Sequence, residues 1–198
     1  ILLYRRRTNS PKSTRIFSIR ASFLSKNFVI CLCITKYVAM NLNDLIDAKT
    51  GERRYLNREE RQAFKRATQY LKPDAKAYCL MLYYTGCRLS EALEVSPDRL
   101  LFEDRKVIFF FFLQKAEKAD RFRVVELPED YLAFLESEYS AKSRKGKRTG
   151  KKPLWIFSDR TAQKYVKQAM QAAQIEGKMA TSRGLRHSMG VMLALDKA

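Results

Sequence analysis

Between Asp74 and Tyr84 the sequence offers a helix-length run with almost no polar face, in which Tyr78, Cys79, Leu80, Met81, Leu82, Tyr83 and Tyr84 follow one another without a charge. A helix that is apolar all round must be wrapped on every side. The run therefore predicts the central helix of a mainly helical core, with Tyr83 and Tyr84 packed inside it rather than serving as base-stacking platforms. Pro73 closes what comes before, and Thr85 and Gly86 break the helix itself.

The flanking segments supply the wrapping. From Leu56, Asn57 can cap a helix, Glu59 and Glu60 suit its positive end, and Ala63, Phe64, Ala67, Tyr70 and Leu71 recur at helical spacing. Beyond Gly86, Arg88 to Glu94 starts a further helix through Leu89, Ala92 and Leu93, making a helix-turn-helix corner. Lys106 to Leu113 and Arg121 to Leu127 are rich in strand formers, with polar Ala116 to Asp120 between them, and predict a β-hairpin. Helices are expected near Glu129 to Tyr139, Arg160 to Ile175 and Leu185 to Leu195, and Trp155 is expected in the core. The fold class is mainly α with a small antiparallel β-sheet.

With 198 residues, 46% of them hydrophobic, the chain has material for one ordinary domain and a tail. The balance of 39 Lys and Arg against 21 Asp and Glu calls for an anionic partner. Nucleic acid ranks first, ahead of an anionic membrane surface or an acidic protein. Seven of the basic residues fall in one stretch (Lys142, Arg144, Lys145, Lys147, Arg148, Lys151 and Lys152) that predicts a mobile basic loop, either a non-specific phosphate contact or a solvated linker.

Cys31, Cys33, Cys79 and Cys87 form no CxxC pair and His187 is the only histidine, so a zinc site of the usual spacing cannot be assembled. No metal or small-molecule cofactor is expected, and reduced thiols fit a cytoplasmic protein. No run of about 18 apolar residues predicts a membrane-spanning helix.

Residues 1–39 carry eight basic residues and no acidic one, and the composition changes at Met40. Such a leader fits a transit peptide, a DNA-binding arm, or upstream sequence read through in frame before a start at Met40. The last is our expectation, with residues 40–56 as a linker and 57–198 as the domain.

Three pieces then stand in order: TGCRLSEAL at Thr85 to Leu93, the lysine-bearing hairpin around Lys115, and GLRHSMG at Gly184 to Gly190. Together they resemble the catalytic domain of tyrosine recombinases, the phage integrase family. There a T-G-x-R-x-x-E segment gives a first arginine, a hairpin gives a lysine, and an H-x-L-R-H segment gives a second arginine with its histidines. LWIFSDRTAQKYVKQAMQAAQI, just before the last piece, resembles the amphipathic helix found at that point in the family.

The resemblance implies that Arg88 and Arg186 hold a scissile phosphate, whose oxygens a forked guanidinium matches. It implies that Lys115 protonates the leaving 5′-hydroxyl, with Lys118 as the second candidate and a DNA contact. Arg144, Lys145, Lys147 and Arg148 are the expected backbone contacts, and Glu91 is expected to orient Arg88 or to cap a neighbouring helix. Arg183 stands where the family has its leading histidine; an arginine is too basic to exchange protons near neutral pH, which leaves charge stabilisation. His187 fits packing or a phosphate contact as well as proton transfer.

The family's nucleophilic tyrosine follows the second arginine, whereas the last tyrosine of this sequence is Tyr165. The expectation is therefore a recombinase-type, double-stranded DNA-binding chain, truncated before its last helices and unable to cleave alone. The alternative is a non-catalytic accessory protein derived from a mobile-element integrase. Homo-oligomerisation on DNA is left open, and a bacterial host would make the protein nucleoid-associated.

Overall fold

In the computed structural model of the chain, residues 45–111 and 121–196 are described. The expectations for the leader, Lys115 and Lys118 lie outside these residues. In chain order the described elements are α1 (Arg58–Thr68), α2 (Pro73–Thr85), α3 (Leu89–Leu93), β1 (Leu100–Leu101), β2 (Lys106–Phe111), β3 (Arg121–Glu126), α4 (Glu129–Tyr139), α5 (Ala141–Arg144), α6 (Asp159–Ala172) and α7 (Ser182–Leu195).

α2 is the hub that its all-round apolarity predicts. Residues 77–82 are buried, and α1, α3, α4, α6, α7 and β3 all pack on it. Two tyrosines fix neighbours to it through their hydroxyls. Tyr78 donates to the Leu89 carbonyl at 2.8 Å, and Tyr131 of α4 donates to the Ala77 carbonyl at 2.7 Å. Trp155 and Phe157 pack on the Tyr78 ring at centroid distances of 5.5 and 5.3 Å, and the Trp155 indole donates to the Ala92 carbonyl at 3.1 Å.

α1 starts with a reciprocal cap. Asn57 Oδ1 accepts from the Glu60 amide at 2.7 Å, and Glu60 Oε2 accepts from the Asn57 amide at 2.8 Å. The Arg53 guanidinium grips the same carboxylate at 2.6 and 2.5 Å. The helix ends at Thr68, earlier than the apolar repeat suggests. Tyr70 therefore lies past the last helical turn and is 88% exposed, while the inward stripe is Arg61, Phe64, Ala67 and Thr68.

The sheet is antiparallel in the order β1-β2-β3. β2 and β3 form the expected pair, with Val107 opposite Val125, Phe109 opposite Arg123 and Phe110 opposite Phe122. Val107 and Phe109 face the core, whereas Phe110 and Phe122 are exposed. β1 was not expected, since two residues are too short to carry an alternation.

The mobile basic loop is corrected: its residues fold into α5 and a 3-10 turn at Arg148–Lys151. Asp98 Oδ1 accepts from the Gly146 amide at 2.8 Å, and Glu136 accepts from the Lys142 amide and, at 3.0 Å, from the Ser143 hydroxyl. Carboxylates from outside the stretch, one of them 48 positions away, thus satisfy backbone and side-chain donors of a segment that has no acidic residue of its own. Among the described residues no helix is long and apolar enough to cross a membrane, and no group of His, Cys, Asp and Glu could hold a metal ion.

Candidate functional site

The site begins where α2 stops. Gly86 takes the left-handed conformation (φ 57°) that terminates the helix, and its amide returns to the Leu82 carbonyl. Thr85 reinforces the turn: its hydroxyl donates to the Met81 carbonyl at 2.6 Å and accepts from the Cys87 amide at 3.2 Å. The reversal delivers Arg88 to the start of α3, where its amide donates to Glu91 Oε2 at 2.8 Å.

The second half comes from α7. Thr181 caps that helix by accepting from the Gly184 amide at 3.1 Å. Gly184 is a steric requirement, because a Cβ there would lie 2.0 Å from the Met179 carbonyl oxygen. The close approach seats the first turn of α7 against the preceding chain. Arg183, Arg186 and His187 then join Arg88, Cys87, Leu89 and Ser182 around one open cavity of about 390 Å³.

Glu91 gathers the arginines. Its carboxylate meets the Arg88 guanidinium at 2.8 Å, Arg123 at 2.7 Å and Arg186 at 3.8 Å. Exposure grades across the three arginine side chains, from 62% for Arg88 through 25% for Arg186 to 11% for Arg123. Arg123 is thus committed to the interior, with its guanidinium 4.8 Å over the Phe109 ring, while Arg88 and Arg186 keep surface for a ligand.

Burial pushes the Glu91 carboxyl up, but Arg123, the amide and guanidinium of Arg88, and Arg186 together hold it below its ordinary value of 4.5. It is therefore ionised near neutral pH. Three guanidinium groups around one carboxylate leave a surplus of positive charge suited to a phosphate.

Cys87 is a thiol at the same cavity, and burial pushes it up to about 11. It stays protonated near neutral pH and is no nucleophile there.

Arg88, Arg183, Arg186 and His187, taken from separate stretches of sequence, are therefore brought together, with Glu91 beneath them. Lys115 and Lys118 lie outside the described residues. Arg144 turns back on its own loop, donating to the Thr149 carbonyl at 3.0 Å, and Lys145 donates to the Leu100 carbonyl. Lys147 and Arg148 are exposed, and none of these four lines the cavity.

Arg123 is the site residue that sequence reasoning missed. The signal was present: it shares the strand face of Val125, opposite core-facing Phe109, and a charge at an inward strand position requires a buried partner.

The family model described as "Phage integrase family" matches residues 54–197. Among curated proteins no sequence matches. Solved structures share the fold at low identity. XerA recombinase is 19% identical with a TM-score of 0.57, over 73% of this chain and 52% of that one. XerH site-specific recombinase, bound to difH substrate, is 17% identical with a TM-score of 0.58, over 73% and 43%. The Tn1549 transposon integrase, in complex with transposon right end DNA, is 19% identical with a TM-score of 0.53, over 81% and 59%. The chain thus spans about half the length of the structures that it matches.

Proposed function

The chain belongs to the phage integrase family, and from that premise we propose that it acts in site-specific DNA recombination by gripping a backbone phosphate of duplex DNA in the Arg88–Arg186 cavity. The observation that carries this reading is the shared carboxylate. Glu91 holds the arginines of two distant motifs at one cavity, with the Arg88 side chain 62% and the Arg186 side chain 25% exposed.

A phosphodiester entering the cavity brings one negative charge, and attack on phosphorus adds more on the nonbridging oxygens. Fixed guanidinium groups stabilise that added charge without reorganising. Arg88 and Arg186 take the nonbridging oxygens. Arg183, exposed on the first turn of α7, adds charge where the family has a histidine. Lys115 is the family's candidate to protonate the leaving 5′-hydroxyl.

The attacking hydroxyl is a separate matter. No tyrosine follows Tyr165 in this sequence, and among the described residues no tyrosine lines the cavity. The cavity therefore supplies the grip and the charge stabilisation, and strand cleavage would need a tyrosine hydroxyl brought to it, for example by a partner chain on the DNA. A second reading, an accessory DNA-binding protein derived from such an enzyme, is favoured by Arg183, which cannot act as a general base.

The test is duplex binding across a salt series for the natural sequence, Arg88→Ala and Arg186→Ala. Affinity that falls steeply with salt and drops in both variants supports the grip; binding indifferent to both arginines overturns it. A nicked suicide duplex separates the two readings. Covalent capture after adding a tyrosine-bearing partner chain supports the recombinase, and DNA binding without capture supports the accessory protein.

A further inference from the structure

Arg61 sits in the core with 6% of its surface exposed, and among the described residues no carboxylate pairs with it. Its fork is held by neutral groups. Nη1 donates to the Leu185 carbonyl at 3.2 Å and the Ser188 hydroxyl at 3.0 Å. Nη2 donates to the Tyr83 carbonyl at 3.0 Å and contacts the Met189 sulfur at 3.6 Å. The Tyr83 ring lies 4.4 Å from the guanidinium carbon. Burial lowers the pKa of the group, opposed by the Tyr83 contacts.

Stability alone does not account for this choice. An unpaired buried cation is expensive to desolvate, and apolar replacements of buried charges are commonly neutral or stabilising. What the guanidinium does provide is position. Tyr83 lies in the last turn of α2, where carbonyls lack an intrahelical partner and a cation is favoured by the helix dipole; five residues later comes Arg88. Leu185 directly precedes Arg186 on α7, and Ser188 follows one residue after His187. One planar group thus spans the two chain segments that carry the two motif arginines.

We propose that Arg61 is a positioning residue, which sets the separation between the Arg88 turn and the Arg186 helix and so tunes the cavity for a phosphate. The proposal rests on the phosphate-grip reading. Arg61→Met keeps an unbranched stem that fills most of the same space and removes every donor.

The experiment is a double-mutant cycle on the full chain with duplex DNA at fixed salt, crossing Arg61→Met with Arg186→Ala. Arg61→Met is expected to weaken binding roughly five- to tenfold in the natural background and to change little once Arg186 is gone, the non-additivity of coupled residues. An equal loss in both backgrounds, or no loss in a folded variant, overturns the proposal. Should Arg61→Met not fold, Arg61→Lys keeps the cation but cannot span both helices, and the same cycle applies to it.

The Nε resonance of Arg186, followed by heteronuclear NMR, separates this proposal from the reading beneath it. If Arg186→Ala leaves DNA binding intact, the grip reading fails. A shifted Arg186 resonance in the Arg61 variant still supports positioning, and an unshifted one overturns it.

Discussion

Two regions concentrate positive charge, and they are built on opposite plans. Beside the cavity, Arg88, Arg123 and Arg186 come from three distant stretches and converge on Glu91, itself only 8% exposed. On the knuckle formed by α5 and the 3-10 turn, the basic residues are sequence neighbours. Its carboxylates, Asp98 and Glu136, accept from backbone amides and a serine hydroxyl, leaving Lys147 and Arg148 to solvent. The cavity orders a few charges against a buried counter-ion; the knuckle orders its backbone. Charge density along a sequence is therefore a poor guide to charge organised for chemistry.

The comparison breaks most visibly at Glu91. Glu91→Ala leaves Arg123 buried beside an empty space, and the loss should approach the 3–5 kcal/mol typical of removing one partner from a buried pair, about that much in urea unfolding. A stability change as small as that of a surface mutation would mean that the cavity charges are as solvated as those of the knuckle.

Next in size are the two motif arginines that line the cavity. Arg88→Ala or Arg186→Ala should each weaken duplex binding by roughly 10- to 100-fold, the range of a charged hydrogen-bond pair, with the fold intact by circular dichroism.

Acid provides a graded version of the first test. Because the Glu91 carboxyl titrates below its ordinary 4.5, its contribution to stability is complete above about pH 4.5 and is lost as the pH falls through the lower folded value. Glu91→Gln should flatten that acid limb of the stability profile, and an unchanged profile would assign acid sensitivity to other carboxylates. Glu60, also held below its usual value despite the opposing effect of burial, is the control, through Glu60→Gln.

The smallest effect is expected on the knuckle. Lys147→Ala and Arg148→Ala should each reduce the slope of log affinity against log salt by at most about 1 and leave the melting temperature where it was. A loss comparable to that of Arg186→Ala would promote the knuckle to a principal contact.

What could be read from the sequence follows the same division. The hub helix, its glycine stop and the two arginine motifs announce themselves locally, through uninterrupted apolarity at 78–84 and through short patterns around Arg88 and Arg186. The family match over residues 54–197 and the mainly helical fold agree with that reading. The contributions of Arg123 and Arg61 were harder to see, because each depends on partners that only the fold supplies: the register opposite Phe109 for one, the ends of α2 and α7 for the other. The fold of the knuckle was illegible for a related reason, since Asp98 acts across 48 positions on an amide that carries no pattern of its own.

The arginine turn grows directly from the end of α2, the element enclosed on nearly every side. In hydrogen exchange, amides of such a segment open only with the whole domain, so 78–82 should be among the slowest in the molecule. The segment from which the Arg88 turn departs should then be as long-lived as the native state itself.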